Sequence, residues 1–159
     1  MSQRLNPYAA APDAIKPLLA LEESIKNSGL EHALIELVKM RASQINGCAY
    51  CLHMHSADAR KAGESEARLY LLNAWQESSL YTPRERAALA WTEAITTLSA
   101  LGVSDAVYEE ARAQLSEQEI SDLTLLLVGI NGWNRLNVAF RTVPGSADAA
   151  YGLDKAGLN

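Results

Sequence analysis

"ELVKMRASQINGCAYCLHMHSADARKAG", Glu36 to Gly63, is the stretch on which the fold turns. Leu34, just upstream, and Leu37, Val38 and Met40 fall on or near one side of a helix expected over about Glu31 to Gln44. Asn46-Gly47 then reads as a turn. A further helix starts near Cys48 and runs to Lys61 or Ala62, with Gly63 as a left-handed stop. Two helices joined by so short a turn are the seed of a helical bundle.

The same periodicity runs through the rest of the chain. Pro12 to Lys26 forms a first helix with Ile15, Leu18, Leu19 and Leu21 near helical spacing, ended by Asn27-Ser28-Gly29. Ser65 starts a helix that carries Leu69, Leu72 and Trp75. Thr82 caps the next, with Pro83 at its first position and Glu85 completing a capping box. Ser104 opens another, and Ser116 with Glu119 makes a second capping box. That last helix can reach Phe140, although Gly129 and Gly132 weaken it. No strand, repeat or domain linker is credible. The expectation is therefore one all-α domain over 1–159, a bundle of about seven helices with its motif core at about 31–63. The tail, 144–159, carries little pattern and should be loosely ordered or dock on a neighbour.

Composition narrows the function. Formal net charge is −5 and no basic block is interleaved with aromatics, so nucleic acid is excluded as a natural partner. The longest apolar run, Leu123 to Ile130, falls well short of the roughly 20 residues that span a bilayer. The first residues lack the continuous apolar stretch of a signal peptide. A cytoplasmic location follows as the expectation, and there a permanent disulfide is improbable.

Both cysteines and two of the three histidines fall within Asn46 to His55. On a helix opening at Cys48, Cys48 and Cys51 are i and i+3, and Cys51 and His55 are i and i+4, so all three share a face. His53 points roughly the other way. The positive end of the helix dipole favours thiolate at Cys48, and CxxC pairs often have depressed thiol pKa values. A redox dithiol is one reading, a metal site another, and two structural cysteines a third. Zinc sites usually gather two ligand pairs, and the one remaining histidine is His32. Haem attachment fails because Leu52 stands where CxxCH needs histidine. Glu36 sits among Ile35, Leu37 and Val38, where a charge is costly without a partner. Twelve residues before Cys48, it is about 18 Å away along a straight helix, but the turn at Asn46-Gly47 can fold it back. On the residues alone, pairing of Glu36 with Lys39 or Lys26 at a helix boundary is the favoured reading.

Glu36 followed by Cys48-x-x-Cys51-x-x-x-His55 resembles the AhpD-like alkylhydroperoxidase branch of the carboxymuconolactone decarboxylase superfamily. "TPRERAALAWTEAIT" and "WNRLNVAFR" look like the later helices of a bacterial subgroup, so the likeness spans roughly Pro12 to Arg141. The resemblance implies an all-α thiol peroxidase, a homo-oligomer (trimer or hexamer), with no haem, flavin or metal. By position, Cys51 matches the peroxide-attacking thiol and Cys48 its resolving partner, while Glu36 and His55 match the proton relay. A hydroperoxide would be the substrate and an external dithiol the reductant. The decarboxylase branch lacks the cysteine pair. Familiar members of the AhpD branch carry histidine where this chain has Tyr50, and His53 is no substitute for it. His53 is expected to be exposed or oligomer-facing. Trp75, Trp91 and Trp133 are expected in the core or at subunit contacts. Arg41 is placed in a surface salt bridge or near the site, and Asn134 with Arg135 should tie the last helix to a neighbour.

Overall fold

A computed structural model of the chain describes residues 2–153, and among these every regular element is helical. Nine α-helices follow one another: α1 Pro7–Ala10, α2 Pro12–Lys26, α3 His32–Asn46, α4 Ala49–Lys61, α5 Glu66–Leu71, α6 Pro83–Thr96, α7 Asp105–Gln114, α8 Glu117–Phe140 and α9 Asp148–Tyr151. A 3-10 segment, Leu72–Glu77, continues α5. The seven helices expected from periodicity are all present. The additions, α1 and α9, have four residues each, too few to show a period.

Local chemistry sets the helix ends. Thr82 and Ser116 each accept from the backbone N–H three residues on, and Glu85 and Glu119 accept from the cap N–H in return. Such caps are worth about 1 kcal/mol each. Helix α3 ends at Gly47 (φ 65°), a left-handed conformation that a side chain would strain. The Cys48 N–H then bonds back to the Ser43 carbonyl, so α4 begins at once and runs antiparallel to α3.

Helix α3 is the centre of the bundle. Leu34 to Met40 are all buried. Val38 and Ala42 pack into one cluster with Ala88 of α6 and Leu123, Leu127 and Ile130 of α8. Leu37 and Met40 pack into another with Leu72, Trp75 and Leu89. A helix enclosed on both sides has no solvated face for a charge. Lys39 therefore pairs with Glu22 of α2 at 2.7 Å, and Arg41 with Glu93 of α6 at 2.7 Å.

Helix α8 runs unbroken through both glycines, and α2 lies against them. A Cβ at Gly129 would meet Glu22 Oε1 at 3.1 Å, and one at Gly132 would touch Leu18. Asn134, fully buried, donates to Ser43 Oγ at 3.0 Å and accepts from Asn46 at 2.9 Å, which ties α8 to α3. Arg135 bonds within its own helix, to Asn131. Leu125, Val128 and Val138 of α8 remain exposed. No helix among the described residues is long and apolar enough to cross a membrane.

The tail docks. His53 of α4 meets Asp148 at 2.8 Å, Lys61 reaches the Gly152 carbonyl at 3.3 Å, and Leu153 is buried. Residues 154–159 of that tail lie outside the described residues. His53, expected to be exposed or oligomer-facing, is half-buried here because the tail folds over it.

Candidate functional site

Cys48 is the N-cap of α4, and its sulfur accepts from the Cys51 N–H at 3.3 Å. The fold thus holds both thiols in the first turn, where the unpaired N–H groups lie. Their sulfurs are bonded to each other, with Cα atoms 5.4 Å apart, and each residue is 1% exposed. Tyr50, Met54 and Ala147 of the tail pack around them.

One helical turn on from Cys51, His55 Nδ1 lies 2.8 Å from Glu36 Oε2. The side chains are only 7% and 4% exposed. The antiparallel α3–α4 pair does what the short turn allowed, bringing Glu36 across to the face that carries Cys51 and His55. Burial pushes the Glu36 carboxyl up, but the charge and hydrogen bond of His55, with Lys39 and His32 nearby, outweigh it. Glu36 is held below its ordinary value. An ionised carboxylate can only accept, so Nδ1 of His55 carries the proton and Nε2 is left as the basic nitrogen. Glu36 pairs with neither Lys39 nor Lys26. Lys39 is committed to Glu22.

Asn137, on α8, was not singled out by the sequence. Its Nδ2 donates to the Trp133 carbonyl at 2.9 Å and reaches Cys51 Sγ at 3.7 Å. A side-chain amide on a sulfur stabilises negative charge there. Asn137 is one of three amides in this part of α8, with Asn131 and Asn134, and nothing local links it to a cysteine 86 residues earlier.

A cavity of about 640 Å³ opens beside these groups. Cys51, His55, Glu36 and Asn137 line it, and Cys48 does not. Its size suits a small organic molecule. Aromatic rings surround it: Tyr8 stacks on Trp133 with centroids 6.0 Å apart, and Tyr50 and Tyr151 complete the wall. Burial, then the neighbouring Tyr151, pushes the phenols of Tyr8 and Tyr50 up, so both are neutral hydroxyls at pH 7. Trp75 and Trp91 lie in the core, away from the cavity, and Trp133 does both jobs. Arg41 is bound to Glu93, which also accepts from the Trp75 indole.

Comparison with known proteins identifies the family and the fold. The model of the carboxymuconolactone decarboxylase family matches residues 12–94, from α2 to α6. An uncharacterised Bacillus subtilis (strain 168) protein, YdfG, is 43% identical over 87% of this chain and 95% of its own length. A crystal structure from Agrobacterium tumefaciens, of a protein of unknown function described as a candidate antioxidant defence protein AhpD, superposes with a TM-score of 0.87. It is 43% identical and covers 90% of this chain and 98% of that one. The debrominase Bmp8 shares the fold at a TM-score of 0.77 and 24% identity, over 93% of this chain and 79% of its own. The chain belongs to the carboxymuconolactone decarboxylase family, in its AhpD-like branch.

Proposed function

We propose that the protein is a thiol-dependent peroxidase in which Cys51 attacks, Cys48 resolves, and His55 with Glu36 moves the proton. The observation that carries this reading is the shared cavity wall: Cys51 and the Glu36–His55 pair line one space, and Cys48 stands outside it. His55 Nε2 takes the proton of the reduced Cys51 thiol, and Glu36 stabilises the imidazolium that results. The thiolate sulfur attacks the terminal oxygen of a hydroperoxide. An S–O bond forms, the O–O bond breaks, and the departing alkoxide collects the proton from His55 as an alcohol. Cys51 is left as a sulfenic acid. The Cys48 thiol loses its proton as its sulfur attacks that of Cys51, and the displaced hydroxide takes up that proton and leaves as water, with the Cys48–Cys51 disulfide as the product. An external dithiol returns the pair to the reduced form by exchange and is itself oxidised to a disulfide.

Expected outcomes separate the two cysteines. Cys51→Ser should abolish reaction with an organic hydroperoxide. Cys48→Ser should still consume one equivalent and accumulate a sulfenic acid that a dimedone-type probe captures. A probe adduct on Cys48 in Cys51→Ser, formed at the wild-type rate, would reverse the roles. Sustained turnover with peroxide and a dithiol separates an enzyme from a redox sensor, which oxidises once and stops.

A further inference from the structure

One turn outward from the Glu36–His55 pair, the same two helices bring together a second set of ligating groups. His32 lies four residues before Glu36 on α3, and Asp58 three residues after His55 on α4. His32 Nε2 is 3.6 Å from Asp58 Oδ2. One ligand atom from each of His32, Glu36 and Asp58 falls within 4.8 Å of the other two, and all three residues line the cavity. We propose that His32, Glu36 and Asp58 bind a divalent transition-metal ion of the zinc class, and that the bound ion draws Glu36 away from its work with His55.

The chemistry and the geometry both point this way. An imidazole with two carboxylates suits zinc better than magnesium or calcium, which favour all-oxygen sites. Zinc bonds of about 2.1 Å in a tetrahedron set donor atoms about 3.4 Å apart. The His32–Asp58 separation already fits, and the two sides that meet Glu36, each within 4.8 Å, close by no more than about 1.4 Å. His32 and Asp58 can make that shift, because their side chains are 53% and 41% exposed. Among the described residues, neither side chain has another hydrogen bond or ion pair. Glu36 Oε2 is taken by His55, while Oε1 has no hydrogen-bond partner among the described residues. It belongs to a residue that is 3% exposed and lines the cavity. Lys39 also lines the cavity, but Glu22 takes up its charge at 2.7 Å, and Lys26 is the further cation on that wall. Three protein ligands leave a fourth position for water.

The regulatory half rests on the peroxidase reading. Glu36 turned toward the ion gives up the 2.8 Å contact that holds the His55 ring beside Cys51, so Cys51 reacts more slowly.

Calorimetric titration of the disulfide form with Zn²⁺ tests the site, since that form offers no thiolate to the metal. About one equivalent should bind, Mg²⁺ should not compete, and His32→Ala or Asp58→Asn should weaken binding by about tenfold or more. No binding, or binding unchanged in both variants, overturns the site. The second arm follows the reaction of the reduced protein with a small aromatic disulfide, which reads thiolate reactivity without any peroxide. Zn²⁺ should slow the wild type more than either variant, each referred to its own zinc-free rate. Equal slowing of all three means that the metal acts on the thiols, and overturns the regulatory half. A protein that binds zinc as described but never turns over peroxide would sink the peroxidase reading and leave the site standing.

Discussion

Helix α4 carries two histidines, His53 and His55, and each sits 2.8 Å from a carboxylate. The distances are the same and the settings are not. The His55–Glu36 side chains are 7% and 4% exposed, within a helix pair that also holds the thiols. Those of His53–Asp148 are 25% and 22% exposed, and their partner is the tail. Water screens the second pair and barely reaches the first, so the same contact differs in what it can do. A buried pair fixes a tautomer and a proton position. A screened pair is a weak tether, worth about 0–1 kcal/mol.

The hardest way to break that contrast is to neutralise the buried carboxylate. Glu36→Gln keeps an oxygen that can accept from His55 Nδ1–H, so helical content should not change. It loses the charge that stabilises the imidazolium and so disables the base His55, and loss of a positioned base costs about 10² to 10⁴ in rate. Stopped-flow peroxide consumption should fall by that order. Turnover near the wild-type rate across neutral pH would make Glu36 a structural residue.

A smaller loss is expected at Asn137. Once Cys51 is a thiolate, the amide contact at 3.7 Å becomes charge-assisted, and hydrogen bonds to charged groups contribute about 1.5–3 kcal/mol. Asn137→Leu fills similar space without the donor. It should raise the thiol pKa of Cys51, read from the pH dependence of alkylation, and slow the peroxide step by about tenfold or more. An unmoved alkylation profile would remove Asn137 from the site.

Acid should expose the buried pair in a third way. The Glu36 carboxyl is held below its ordinary value of about 4.3, so the folded form binds that proton less readily than the unfolded chain does. Its contribution to stability is then complete above the unfolded value and is lost as pH falls through the folded one. Urea midpoints of the wild type should drop across that acid range, and those of Glu36→Gln should drop less steeply. Identical slopes would mean that another carboxylate dominates. Glu119 is separable, because the Arg84 guanidinium and the Ser116 cap hold it down at about 2.

What could be read from the sequence follows the range of the interactions. The caps at Thr82 and Ser116 were legible because the groups involved lie three residues apart. The turn at Asn46-Gly47 was legible, but the pairing of Glu36 with His55 was not, because the turn allows it without excluding Lys39 or Lys26, and only the family resemblance pointed to His55. The region around Trp75 was read as plain helix, yet the chain turns to 3-10 at Leu72 and kinks within that segment at Ala74. There Arg86 of α6 takes the carbonyls of Trp75, Gln76 and Ser78, and Glu93 takes the Trp75 indole N–H, so tertiary partners override local preference. Asn137 and the docked tail were illegible for the same reason. Their partners lie 86 and 95 residues away, and no local spacing encodes such contacts.

The smallest effect on the chemistry, and the sharpest use of the comparison, is expected at the screened pair. Asp148→Asn removes a charge from a partly solvated contact, so stability should change by no more than about 1 kcal/mol. The peroxide step should hold its rate, because His53 points away from the face that Cys51 and His55 share. Reduction of the disulfide is a separate matter. Ala147, next to Asp148, packs on the cysteine cluster, and both cysteines are 1% exposed, so a bulky reductant must displace the tail to reach a sulfur. Weakening the tether lowers the cost of that displacement without touching the thiols. Asp148→Asn should therefore be reduced faster by a protein dithiol, while a small dithiol that can use the cavity should show less difference. Equal acceleration by both reductants would place the effect on the disulfide itself. No acceleration by either would mean that the tail is not what covers the sulfurs.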